Sequence, residues 1–155
     1  MKANTMFAVS KVSQARAVEV WERISDLHTT IAAVLEKEML PQAGISLGWY
    51  QVLGDLKRAP GAMLRFQNLA KEAGLSESGA SRRLEQMMKA GLIDRVSCPT
   101  DRRGVYAHVT EAGLEAYERA HLIFIKSVDE ALSSRLKPEE AEAIRSTLSR
   151  LGACD

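Results

Sequence analysis

Between Lys71 and Arg103 the chain carries a set of donors that suits one kind of partner. Ser76, Ser78, Gly79 and Ser81 are small residues in a short stretch, and Arg82 and Arg83 follow directly. At the start of a helix, small residues let the backbone approach a surface closely. Serine hydroxyls and the first free N–H groups can then donate to phosphate oxygens. Paired arginines can donate to phosphate or, bidentately, to a guanine edge. Lys71, just upstream, adds a cation. Further along, Arg102 and Arg103 sit between Asp101 and Gly104. Two arginines at a hairpin tip can enter a narrow minor groove, where the negative potential attracts guanidinium groups. Asp101 would repel phosphate itself, so its expected role is to orient an arginine through an ion pair. This is the chemistry of recognising double-stranded DNA. The plainer alternatives are a solvated charged helix face and an ordinary polar hairpin.

Those donors need elements to hold them. Leu69, Ala70 and Ala73 give a short helix, residues 67–73, an apolar side. Gly74 can turn the chain in the left-handed conformation, and Leu75 can plug the angle that follows. Ser76 is a suitable N-cap, although Gly79 occupies the place of its capping-box partner. A second helix is expected over residues 77–90, with Ala80, Leu84, Met87 and Met88 inward. Gly79 within it costs roughly 1 kcal/mol relative to alanine, a cost that close approach to DNA would explain. Gly91 ends that helix. Leu92, Ile93 and Val96 suit a strand, Pro99 to Asp101 a turn, and Val105 to Thr110 a returning strand. The order is that of a winged helix-turn-helix.

The ordered fragments resemble the MarR family of bacterial transcription regulators. The carriers are Gly44-Ile45-Ser46-Leu47, Tyr50-Gln51-Val52-Leu53, Leu69-Ala70 and Leu75-Ser76 with Ser78 to Arg82. Gly91-Leu92-Ile93, Asp101-Arg102-Arg103-Gly104 and Thr110-Glu111-Ala112-Gly113 follow. The resemblance implies a homodimer in which helices from both chain ends interlock. It implies a pseudo-palindromic operator, usually a repressor role, and often release by a small aromatic or phenolic molecule. Three positions depart from the pattern: Glu77, where relatives are basic or polar; Ser81, where threonine is common; and Trp49, where a polar residue or proline is usual.

The 155 residues suit one domain with a sizeable core. The formal net charge is only +1, which excludes a uniformly basic nucleic-acid binder. Residues 46–112 contain ten Lys/Arg and seven Asp/Glu, so the excess positive charge lies on the reader. The expected organisation is a mainly α (α+β) chain. Residues 46–111 form the winged reader, and residues 1–45 and 112–155 form a helical dimerisation region. No apolar run approaches the ~18 residues of a membrane span, and the Met6-Phe7-Ala8-Val9 stretch is too short for a signal peptide. A cytoplasmic protein is expected. Two cysteines, Cys98 and Cys154, do not make a disulfide framework. His28, His108 and His121 lack metal-ligand spacing, and neither a phosphate-binding Gly loop nor a nucleophile arrangement is present. Neither a catalytic site, nor a metal, nor a cofactor is expected.

One long helix is expected over residues 13–39, with Val20, Ile24, Leu27, Ile31, Val34 and Leu35 as its stripe and Pro41 and Gly44 as its stop. Residues 47–58 read as a second helix, and Arg65 and Phe66 as part of a third wing strand. Helices from Glu111 to about Arg135 and from Pro138 onward close the chain. These flanking helices carry more apolar surface than one wing domain can cover, which points to a partner chain. Trp21, His28, Trp49 and Tyr50 are the candidates for an effector pocket, because aromatic rings beside an imidazole could take an aromatic acid. Core packing is the alternative for all four. Oxidation of Cys98, which would displace Arg102 and Arg103, is a second route by which a signal could enter. An interaction protein that kept the fold and lost DNA binding is the competing function.

Overall fold

The computed structural model describes residues 12–72, 76–98 and 101–152; the side chains of residues 70–72, 77, 98 and 101–103 lie outside the description. The elements run α1 (Gln14–Ala43), α2 (Leu47–Arg58), β1 (Met63–Arg65), α3 (Phe66–Glu72), α4 (Glu77–Lys89), β2 (Ile93–Cys98), β3 (Asp101–Val109), α5 (Glu111–Leu132) and α6 (Pro138–Gly152). This is the expected mainly α fold with a small sheet. The sheet is antiparallel with strand order β1-β3-β2.

Serine and threonine caps set the helix starts. Ser13, Ser46, Ser76 and Thr110 each accept a hydrogen bond from a backbone N–H three residues on. Gly44 (φ 74°) ends α1, and Gly91 (φ 72°) follows α4, both in the left-handed region that only glycine occupies cheaply. The core lies where α1, α2, α4, α5 and the sheet meet. Met39, Leu53, Leu56, Leu84, Met87 and Ile93 are its largest fully buried side chains.

Several boundaries differ from the sequence expectation. Pro41 lies inside α1, which runs on to Ala43 before Gly44 caps it. A proline one turn from a helix end removes a single ladder bond and does not stop the chain. Ser13 is the cap of that helix, not its first turn. Phe66 begins α3 and is not in the third strand, which is Met63–Arg65. The expected turn at Gly74 and Leu75 lies outside the described residues. The wing strands are longer than expected: β2 reaches Cys98 and β3 begins at Asp101.

Two parts of the molecule have little to pack on. α6 has no buried residue, and α1 has none before Leu35. Val20, Trp21, Ile24, Leu27, Leu122, Ile125, Ile144, Leu148 and Leu151 are all exposed.

Thr110 binds three elements together. Its hydroxyl donates to the Gly91 carbonyl (2.7 Å) and accepts from the Gly113 N–H (3.0 Å). Its own N–H donates to the Leu92 carbonyl (3.1 Å). The end of α4, the end of β3 and the start of α5 are thus fixed to one residue.

Candidate nucleic-acid interface

α4 is the element that places the small residues and the arginines. Ala80, Leu84 and Met87 are buried and Met88 is half-buried, which fixes the helix rotation. Ser76, Ser78, Ser81 and Arg82 are exposed on the outer side, with Gly79 half-buried among them. The Ser76 hydroxyl accepts from the Gly79 N–H (3.2 Å) and lies 3.2 Å from the Ser78 hydroxyl. The helix start therefore presents the Ser76 and Ser78 hydroxyls; the side chain of Glu77 between them lies outside the described residues. A polyanion placed there would meet the partial positive charge of the helix N-terminus.

Arg83 goes elsewhere. It is half-buried and leans on α2, where its guanidinium fills the space beside Gly48: a Cβ built on Gly48 would lie 2.7 Å from Arg83 Nη1. It lines a cleft of about 780 Å³ with His28, Glu36, Gln51, Asp55 and Arg58. Glu36 accepts from the Leu47 N–H (2.7 Å), and Asp55 pairs with Arg58 (2.5 Å). Among the described residues Arg83 has no ion-pair partner. The adjacent arginines are thus separated: Arg82 faces outward and Arg83 faces a cleft between α1, α2 and α4.

The wing carries its arginines in an irregular ladder. Ser97 pairs with Val105, but Cys98 pairs with Asp101, so residues 102–104 are extra on β3. Such a bulge bends a strand and re-aims its side chains. Arg102 and Arg103 were expected at the hairpin tip; their backbone lies in β3, at this bulge. The side chains of Lys71, Asp101, Arg102, Arg103 and Cys98 lie outside the described residues.

The four effector candidates do not converge. Trp21 is exposed (68%) on the outer part of α1. Trp49 is half-buried against the core. Tyr50 is buried and turned towards α5. Its ring stacks on Tyr117 (5.1 Å, 7°), and its hydroxyl lies 2.7 Å from His121 Nδ1. Burial first, and then Tyr117, pushes the Tyr50 phenol above its ordinary range. Of the four, His28 alone lines the cleft.

Comparison with known proteins decides the family. Residues 43–104 match the MarR family model. The HTH-type transcriptional regulator BilQ of Clostridium symbiosum (strain WAL-14163) is 32% identical over 116 residues, which is 75% of this chain and 78% of BilQ. The chain belongs to the MarR family. It is accordingly a DNA-binding transcription regulator and not an enzyme. Two solved MarR-family regulators from Streptomyces coelicolor share the fold at 26% identity and TM-score 0.78. Sco3205, solved in complex with DNA, is matched over 92% of this chain and 89% of its own; AbsC is matched over 92% and 95%.

Some residues of this MarR regulator escaped the reading of its sequence. Tyr117 and His121 hold Tyr50, yet nothing in a helical stripe marks them as partners of a residue some seventy positions earlier. Glu36 is similar: it caps the start of α2 from α1. Arg65 and Arg95 sit on the sheet beside α4, and only Arg65 was singled out in the sequence, as part of the third strand. Among the described residues no helix is long and apolar enough to cross a membrane.

The Tyr50–His121 contact gives a direct test of the packing between α2 and α5. Tyr50→Phe keeps the ring stack and deletes the hydroxyl. Urea unfolding is expected to show a loss of about 1 kcal/mol, the net worth of a typical side-chain hydrogen bond. An unchanged unfolding midpoint would mean that the pair contributes nothing to stability.

Proposed function

We propose that this MarR-family regulator acts as a homodimeric repressor on a pseudo-palindromic operator and is released by a small aromatic acid. α1, α5 and α6 are the dimerisation region, and residues 46–111 are the reader. The dimer is supported by α6, a helix of 15 residues with no buried side chain. Isolated helices of this length are marginal in water, so α6 needs a surface to lie on. A two-fold axis would set two copies of α4 about 34 Å apart, one turn of DNA. Ser76, Ser78, Gly79, Ser81 and Arg82 then meet the major groove. Arg102 and Arg103, oriented by Asp101, meet the adjacent minor groove, and Lys71 meets the backbone.

The observation that carries the effector reading is the inward position of Arg83. It belongs to the recognition helix but stands in a cleft with His28 and Arg58. The cleft acids are already engaged by Leu47 and Arg58. A carboxylate entering the cleft would meet the Arg83 guanidinium, which has no ion-pair partner among the described residues, and its ring would lie against α1 and α2. Binding there would pull on α4 directly. Trp21, Trp49 and Tyr50 would then serve packing, with His28 as the ligand contact.

The test is a gel-shift titration on the DNA upstream of the protein's own gene, repeated with benzoic and salicylic acids. A saturable, competitor-resistant complex that one of these acids dissociates is expected. Arg83→Gln should leave complex formation within about threefold and abolish the response to the acid. Equal response in wild type and variant would remove Arg83 from the effector site. Weak, salt-labile binding to every duplex tried would contradict operator recognition.

A further inference from the structure

We infer that the ligand of the cleft between α1, α2 and α4 is a zwitterion, an aromatic acid that also carries an ammonium group, with Arg83 taking the carboxylate and Glu36 the ammonium. The inference rests on the effector reading of this cleft and adds to the ligand a second, opposite charge that the reading does not require.

The charged and titratable side chains that line the cleft are His28, Glu36, Asp55, Arg58 and Arg83. Asp55 and Arg58 neutralise each other in an ion pair of 2.5 Å along α2. Glu36 and Arg83 are the two opposite charges that remain. Glu36, half-buried on α1, accepts the Leu47 N–H at Oε2 (2.7 Å). That donor is neutral, so the carboxylate keeps its charge, and Oε1 has no partner among the described residues. Arg83 covers Gly48, the next residue of α2, and has no ion-pair partner among the described residues. An acid from α1 and a base from α4 therefore flank the same peptide unit of α2.

These two charges do not pair with each other, yet they are near. Glu36 Oε2 is 2.7 Å from the Leu47 nitrogen, and Arg83 Nη1 is 2.7 Å from where a Cβ on Gly48 would stand. Standard backbone lengths then keep the two at most about 12 Å apart. In an α-amino acid the carboxylate and ammonium are about 3 Å apart by the same bond geometry. A hydrogen bond of about 2.8 Å at each end lets such a ligand bridge a gap of roughly 8 Å, between contact and that limit.

Charge balance selects the same class. A ligand with a carboxylate alone adds a second negative charge beside Glu36, in a partly buried site where like charges repel more than they do in water. A ligand with an ammonium alone meets Arg83 in the same way. A zwitterion gives each side chain its partner and leaves the charge of the cleft unchanged. Ala32, Leu47 and Val52 supply an apolar wall for the ring.

The experiment is isothermal titration calorimetry of the full chain, without DNA, with three matched probes. They are L-phenylalanine, 3-phenylpropionic acid, which lacks the ammonium, and 2-phenylethylamine, which lacks the carboxylate. L-Phenylalanine is expected to bind about tenfold or more tightly than either, the worth of one hydrogen bond to a charged group. Glu36→Gln keeps an acceptor for the Leu47 N–H and removes the charge. It should weaken L-phenylalanine about tenfold and leave 3-phenylpropionic acid bound as tightly as before, or more tightly. Arg83→Gln should weaken both acids and spare 2-phenylethylamine. Thermal unfolding of each variant is measured beside it, because Glu36 also caps α2.

Equal affinity of the wild type for L-phenylalanine and 3-phenylpropionic acid would overturn the zwitterion and leave the acid cleft standing. So would equal affinity for L-phenylalanine in wild type and Glu36→Gln. A Glu36→Gln protein that loses both acids in parallel and unfolds at a lower temperature would reduce Glu36 to a structural cap and overturn its role here. A wild type that binds none of the three probes yet responds to benzoic or salicylic acid overturns the zwitterion alone. One that also ignores those two acids overturns the effector reading with it.

Discussion

Replacing Gly113 by alanine is expected to lower stability by about 3 kcal/mol or more, a fall of roughly 10 °C in the unfolding midpoint for a chain of this size. Gly113 is on the first turn of α5 and is buried. A Cβ there would lie 2.1 Å from the Leu92 carbonyl oxygen and 2.9 Å from Val109 Cγ2. The carbonyl cannot retreat cheaply, because it accepts the Thr110 N–H that closes the wing on α5. Helix propensity works the other way, since alanine is favoured over glycine by about 1 kcal/mol in a helix interior. The steric effect is much the larger. Gly152→Ala is the control: a Cβ there meets nothing within 4 Å, and its midpoint should hardly move. Differential scanning calorimetry reads both. A Gly113→Ala protein as stable as wild type would mean that the α5 start and the wing can separate without loss.

The second large effect is expected on association. Ile24→Asp and Leu148→Asp each put a carboxylate on an apolar surface that this chain leaves uncovered. Burying an unpaired carboxylate costs several kcal/mol. Light scattering of the wild type should give about twice 17.0 kDa, and each variant should give the single-chain mass at micromolar concentration. DNA affinity should fall at least a hundredfold, because a monomer loses the effective concentration that links two half-sites. The α4 face is untouched, so salt-dependent binding to a single half-site should survive. A variant that stays at twice the chain mass would show that α1 and α6 do not form the interface. The unfolding temperature of wild type should also rise with protein concentration, as it does when folding and association are linked.

Much of the reader was legible because its signals are local. Ser76 and Gly91 mark helix boundaries through local chemistry, a side-chain cap and a left-handed turn, whereas Thr110, read as the end of the returning strand, is the N-cap of α5. The stripe of Ala80, Leu84 and Met87 fixes which way α4 turns. The sequence also indicated uncovered apolar helices at both chain ends, and the structure leaves those surfaces open. What escaped were features decided between elements. Pro41 looked like a stop because proline propensity is a local quantity, whereas its position in the last turn makes the loss small. Arg82 and Arg83 looked equivalent because they are neighbours, but 100° of helical rotation sends one outward and one to Gly48. Tyr50 looked like a pocket residue until the aromatic run of Tyr117, His121 and Phe124 on α5 took it. The cleft beside Arg83 was the least legible part, since its lining comes from three helices and includes one residue, Gly48, whose contribution is the side chain it lacks.

The junction at Thr110 turns α5 into a lever. At 1.5 Å per residue its 22 residues span about 33 Å. The reader is pinned at one end of that rod, and the uncovered face with α6 lies towards the other. A tilt of about 5° at the far end displaces the pinned end by roughly 3 Å over such a length. Two opposed levers would open or close the distance between recognition helices by about twice that, close to the width of two base steps at 3.4 Å each. Small adjustments in how two copies seat against each other would therefore be enough to move α4 out of register with its groove, with no change inside the reader itself.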